Sequence, residues 1–366
     1  MWWLPLLALP LTQGTPDDAD PAVVAIVRAS DGSLRCSGTV IAERVVLTAA
    51  HCGVQLEPSA YRVFFGGRVG DAGTMIDIIE AVAHPGFDDT ETHDLALVLL
   101  AEPSPAPPIA MSMQPPPAQL RIVGFGDTAG GADDGARKLE GTTSVTSSLP
   151  FSIVLGADPS LPCSGDSGGP AFAGADIAAV ISRGDPDCAT YGKATRVDAH
   201  ATELLAYVAA TAPGSVTLGE RCKYDEHCVT GSCVTATDEP LLRYCSQGCE
   251  QGSDCPAEMT CEDNACRYRT PSPGAIGSVC EATDECVRGE CIDDGYCSIR
   301  CVSGRGDCPD GYECSHLGGV DFFCTPLPGD GGCCDTSGNG SPGAALLGLA
   351  LALWISTGRR YSSRRT

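Results

Sequence analysis

The stretch Gly165-Asp166-Ser167-Gly168-Gly169-Pro170 decides how this chain is read. A serine hydroxyl is a poor nucleophile until a neighbouring base takes its proton, and that base needs a carboxylate to orient it. Both partners lie upstream. Leu47-Thr48-Ala49-Ala50-His51-Cys52 supplies a histidine beside a cysteine, and Asp94-Leu95-Ala96-Leu97 puts a carboxylate at the head of an apolar run.

The order His51, Asp94, Ser167, each within its own characteristic run, closely resembles the chymotrypsin/trypsin family of serine proteases. The resemblance implies His51 as general base, Asp94 as its orienting carboxylate and Ser167 as nucleophile. It also implies an oxyanion hole from the backbone N–H groups of Gly165 and Ser167, with glycine geometry at Gly165. Pairing of Cys36 with Cys52 and of Cys163 with Cys188 is implied in the same way. In the family Asp166 receives the new N-terminal amine after activation. The mature start expected there, Ile-Val-Gly-Gly, is echoed here only by Leu11-Thr12-Gln13-Gly14. The floor of the specificity pocket maps to Leu161, and further substrate-binding positions map to Ser182, Gly184 and Gly192. An apolar floor and open glycine walls favour a large apolar P1 residue. Pro162 beside the floor and Arg183 after Ser182 depart from the family pattern. His84, in a His-Pro-Gly loop, and His93, beside Asp94, read as structural, and no metal ligand set or cofactor is expected.

Around these motifs the chain alternates short β-rich runs with Gly/Pro/Asp turns. Examples are Val23-Val24-Ala25-Ile26-Val27, Arg62-Val63-Phe64-Phe65, Leu120-Arg121-Ile122-Val123 and Ala178-Ala179-Val180-Ile181. Such spacing indicates an all-β barrel or sandwich. The resemblance narrows it to two six-stranded β-barrels with the catalytic cleft between them and a C-terminal helix. Asp198 is expected to cap that helix, ahead of Leu204, Leu205 and Val208 at helical spacing.

At 366 residues the chain is long enough for further units. Four of its 22 cysteines precede residue 221, and the remaining eighteen crowd the rest. That density indicates small modules stapled by disulfides in an oxidising compartment, and the wide, repeated spacings suit a zinc ribbon poorly. Two eight-cysteine copies follow one another, Cys222 to Cys266 and Cys280 to Cys324, with Tyr244-Cys245-Ser246 recurring as Tyr296-Cys297-Ser298. They loosely resemble Dickkopf-type or EGF-like repeats, and their pairing stays open. A stalk, a spacer or a module for a protein or glycan ligand all fit. A formal net charge of −24 repels polyanions and excludes nucleic acid as a partner.

Both ends read as processing signals. Residues 1–10 form an apolar run of signal-peptide character. Ala344 to Ile355 is apolar and is followed by Arg359, Arg360, Arg364 and Arg365, the pattern of a transmembrane segment held by cytoplasmic arginines. With Cys333-Cys334 ahead of it, the tail resembles the MYXO-CTERM sorting tails of myxobacterial surface proteins. The expected organisation is therefore a signal peptide over 1–10, a trypsin-like domain over 11–212, cysteine-rich repeats over 219–268 and 277–325, and a sorting or transmembrane tail over 333–366. Protein or peptide substrates, a membrane contact through the tail and an exported, surface-tethered location follow from it.

Overall fold

Side chains alternate across a strand, so an apolar run that is buried throughout must face two cores. Strand β2 (Val23–Arg28) does this, following the short β1 (Thr15–Pro16). Val24 and Ile26 point into one cluster and Val23, Ala25 and Val27 into another. The strands β3 (Leu34–Ala42), β4 (Val45–Thr48), β5 (Tyr61–Phe65), β6 (Thr74–Ala83) and β7 (Ala96–Leu100) complete a closed antiparallel barrel in the order β2-β3-β4-β7-β6-β5. In β7, Val98 and Leu100 fill the barrel interior while Leu97 and Leu99 face outward into the second cluster. Each such fully buried aliphatic contributes about 1.5–3 kcal/mol relative to exposure.

The second barrel is built from β8 (Gln119–Gly124), β9 (Leu139–Ser148), β10 (Ser152–Gly156), β11 (Pro170–Ala173), β12 (Asp176–Gly184) and β13 (Gly192–Arg196). Its order is β9-β10-β13-β12-β11-β8, closed by pairing of β8 with β9, and β1 adds to the edge of β9. Its own core holds Leu120, Ile122, Ile153, Leu155, Ala179 and Ile181. Between the barrels, Leu47, Leu97 and Leu99 meet Val123, Phe125, Phe172 and Val180. This shared apolar layer fixes the cleft at whose rim the three motifs lie.

The closing helix, α1, spans Ala201–Ala210 and buries Leu204. Two expectations for it are corrected. Asp198 does not cap it: residues 198–200 form a 3₁₀ turn, and the Asp198 carboxylate accepts two hydrogen bonds from the Arg196 guanidinium, at 3.0 and 2.5 Å. A charge-assisted fork outcompetes a single helix-end N–H. Leu205 is exposed, leaving Leu204 to anchor the helix.

The cysteine-rich region folds without a large core. Every group of four cysteines pairs first with third and second with fourth: Cys222–Cys233 and Cys228–Cys245, Cys249–Cys261 and Cys255–Cys266, Cys280–Cys291 and Cys286–Cys297. The same pattern gives Cys301–Cys314 and Cys308–Cys324. The chain divides into two compact units at Arg300/Cys301, inside the second eight-cysteine copy. Within the first unit, Tyr224 is buried in the interbarrel cluster beneath Arg44, whose guanidinium lies 4.4 Å from the ring centroid. Arg44 also pairs with Glu226 at 2.8 Å, and Lys223 pairs with Glu80. His227 Nε2 lies 2.8 Å from the Ala210 carbonyl at the end of α1. The first module is thus packed onto the barrels.

The computed structural model describes residues 14–327 apart from 89–91, 127–135, 293–294, 304 and 317–320. The signal run and the tail lie outside the described residues. Among the described residues no helix is long and apolar enough to cross a membrane. The ten disulfides suit an extracellular or secreted setting.

Candidate active site

His51 sits in a 3₁₀ turn, Ala50–Cys52, at the end of β4. The Cys36–Cys52 disulfide ties this turn to β3, and the Arg35 side chain donates to the carbonyls of Cys52 (2.7 Å) and His51 (3.1 Å). Asp94, one residue before the apolar Leu95–Leu100 run, is fully buried. Its Oδ2 lies 2.7 Å from His51 Nδ1, and its Oδ1 accepts the His51 backbone N–H at 2.9 Å. The Ser182 hydroxyl donates to Oδ2 at 2.5 Å. Burial opposes the charge on Asp94, but the bonds from His51 and Ser182 outweigh it and hold the carboxyl below its ordinary pKa.

Ser167 lies across the cleft, between Gly165 (φ 96°) and Gly168 (φ 83°). Both glycines are needed twice over. Each has left-handed backbone, and a Cβ on Gly165 meets Gly126 Cα at 2.8 Å, while one on Gly168 meets the Ser37 carbonyl at 2.2 Å. Among the described residues the amides of Gly165 and Ser167 donate to no protein acceptor. The Ser167 hydroxyl donates to the Ser182 carbonyl at 3.0 Å, and both Ser167 and His51 line one cavity of about 200 Å³. Asp166 is buried beneath, its two oxygens accepting the N–H groups of Gly126 and Cys163, each at 2.8 Å.

Sequence reading missed Ser37, which carries no motif of its own. From β3 of the first barrel its amide donates to the Ser167 carbonyl (2.8 Å) and its hydroxyl to the Gly165 carbonyl (2.9 Å), while that hydroxyl accepts the Phe125 N–H (3.0 Å). It thereby holds the Ser167 loop from both ends. Ser182, expected at the substrate, donates its hydroxyl hydrogen bond to Asp94.

The pocket beside Ser167 differs from expectation. Leu161 is fully buried in the second-barrel core and does not line the cavity, whose wall begins at Pro162. Gly192 is buried too, and a Cβ there would lie 2.7 Å from Pro162 Cγ. The space a glycine wall leaves is thus taken up by the proline ring. Gly184 and Ser182 do line the cavity, with Arg183, Asp185 and the Cys163–Cys188 disulfide. The Asp185 carboxylate is turned onto its own loop and accepts the amides of Ala189, Thr190 and Tyr191.

Behind Asp94 a second group assembles that no motif announces. His84 and His93 stack with centroids 4.8 Å apart, and His200 meets both edge-on at 4.8 and 5.0 Å. Burial, then the neighbouring imidazoles, push His200 down to about 4, and His84 is lowered for the same reasons.

Comparison with known proteins bears on the whole arrangement. The trypsin of Saccharopolyspora erythraea is 29% identical over 194 residues, which are 47% of this chain and 85% of that protein. Trypsin alpha-4 of Lucilia cuprina is 29% identical over 178 residues, 42% of this chain and 69% of that protein. A structure of a mutant of human heparin binding protein (CAP37) aligns with a TM-score of 0.50 at 20% identity, covering 55% of this chain and 98% of that one. The family profile described as Trypsin matches residues 12–204. With that match spanning more than half of its 366 residues, this chain belongs to the trypsin family.

Proposed function

We propose that the protein is a serine endopeptidase that cuts peptide bonds through an acyl-enzyme. One observation carries the reading: buried Asp94 holds His51 by ring and backbone at 2.7 and 2.9 Å, facing the cavity that Ser167 shares. Ser167 attacks the scissile carbonyl, His51 takes its proton and returns it to the leaving amine, and Asp94 fixes the tautomer. The unengaged amides of Gly165 and Ser167 stabilise the oxyanion. Pro162 walls the cavity, and the carboxylate of Asp185 in its lining is engaged by the amides of its own loop, which supports an apolar P1 residue. A fluorophosphonate probe tests the reading: stoichiometric labelling at Ser167, lost in Ser167→Ala, is expected, and an unlabelled wild type overturns it.

A second reading, a non-catalytic binding protein acting through the cysteine-rich modules, is favoured by a single observation. The Ser167 hydroxyl donates to the Ser182 carbonyl rather than to His51. Catalytic hydrogen bonds often tighten only with substrate bound, so the enzyme reading is preferred. We further infer export and surface tethering from the apolar ends of the sequence. Deleting residues 333–366 is expected to release the protein into the medium, and unchanged cell association overturns the tether.

A further inference from the structure

His84, His93 and His200 come from three separate segments: the loop after β6, the turn before Asp94 and the 3₁₀ turn leading into α1. Each ring offers one nitrogen, and those nitrogens lie within 4.8 Å of one another. His200 is only 1% exposed, yet among the described residues its Nε2 has no hydrogen-bond partner, and neither has the buried Nδ1 of His93. A buried polar nitrogen left unpaired costs about 1–3 kcal/mol, so two on the rings of one cluster call for an explanation. His93 adds another cost, since its φ of 57° is left-handed backbone, sparsely populated by non-glycine residues.

We propose that these three imidazoles form a zinc site. Nitrogen ligands around tetrahedral Zn²⁺ at 2.0–2.1 Å are separated by about 3.3 Å, so the nitrogens need to close by about 1.5 Å at most, and the near-parallel His84 and His93 rings need to turn out of their stack to share one ion. Three histidines leave the fourth position for water or for a carboxylate, and Glu203, in the first turn of α1, acts electrostatically on both His84 and His200. Phe151, 4.3 Å from His93 and 5.6 Å from His200 between centroids, walls the cluster with apolar surface. Ligation through His84 gives up the contact its Nδ1 accepts from the Gly86 N–H, an exposed bond between residues two apart. In exchange both orphaned nitrogens gain a partner. The metal would cross-link three segments, one of which carries Asp94.

The test uses the full chain, without affinity histidines, in the Ser167→Ala background to prevent self-digestion, and Co²⁺ as a spectroscopic stand-in for Zn²⁺. One equivalent of Co²⁺ is expected to give the intense visible bands of a tetrahedral site, displaced by Zn²⁺, and Zn²⁺ is expected to raise Tm. His84→Asn and His93→Asn are each expected to weaken binding at least about tenfold; asparagine tolerates the left-handed backbone at 93. Unchanged far-ultraviolet circular dichroism of both variants shows that the fold is kept. Absence of the tetrahedral cobalt spectrum, full binding in both variants, or its loss only in His51→Asn overturns the site. All readouts are independent of peptidase activity, so they stand or fall separately from the proposed function.

Discussion

Asp94 holds His51 at two points, the ring at Nδ1 and the backbone at N–H, so the imidazole cannot rotate without breaking its bond to a carboxylate that its own main chain keeps in place. Asp94→Asn keeps the shape but offers an amide where Nδ1–H requires an acceptor. The expected loss in kcat is that of the general Ser–His–Asp template, about 10⁴-fold, measured on a peptide substrate with the fold checked by circular dichroism.

The same carboxyl predicts an acid limit. Its folded pKa lies below the ordinary 3.8, so its ionised form adds stability that is fully present above that value. This stability is lost as pH falls through the folded value, because the native state must then take up a proton it holds weakly. Thermal melts of the wild type are expected to fall more steeply than those of Asp94→Asn below about pH 4. Parallel curves would remove the prediction.

Pro162, not Leu161, is expected to set the depth of the specificity pocket. Cleavage after Phe, Tyr, Leu or Met is expected to exceed cleavage after Arg or Lys, because burying an unpaired guanidinium costs several kcal/mol, roughly 2–5. Pro162→Gly uncovers Gly192 and is expected to raise kcat/KM for the bulkiest P1 side chains relative to the smaller ones. A P1 peptide library reads both results; cleavage mainly after Arg overturns the apolar pocket.

Ser37→Ala leaves the Phe125 N–H and the Gly165 carbonyl without their bond in a buried site. The expected loss in stability is about 1–3 kcal/mol, with a fall in kcat and little change in KM, because the nucleophile loop loosens while the pocket does not.

Tyr224→Ala is expected to destabilise the barrels by about 3 kcal/mol, since it empties a site in the interbarrel layer and removes the ring under Arg44. Differential scanning calorimetry of the full chain shows this as a lowered Tm of the main transition; an unchanged transition refutes the coupling.

The barrels and the His51, Asp94 and Ser167 positions were legible because each rests on a local pattern. A period of two in Val23–Val27, a glycine-flanked serine and an apolar run behind Asp94 all state their geometry within a few residues. Leu161 was misplaced because the segment before Cys163 is irregular, and alternation does not tell which of two neighbours faces the cavity. Asp198 looked like a cap because sequence shows a helix-start residue but not the Arg196 fork that claims it. Ser37 and the His84–His93–His200 cluster were illegible for a different reason. Their meaning lies in contacts across more than a hundred residues, as between Ser37 and Gly165 or His84 and His200, and no single stretch contains them.

The burial of Tyr224 changes where the trypsin-family unit ends. The stretch that ends at Ala212 holds every strand of both barrels, yet without Tyr224 the layer between them lacks one aromatic ring and Arg44 lacks the ring it lies over. Completion waits for Tyr224 and for the flanking Lys223 and Glu226, which pair with Glu80 and Arg44 on the barrels. The interbarrel layer is thus shared property, closed on one side by a ring that the first cysteine-rich module contributes.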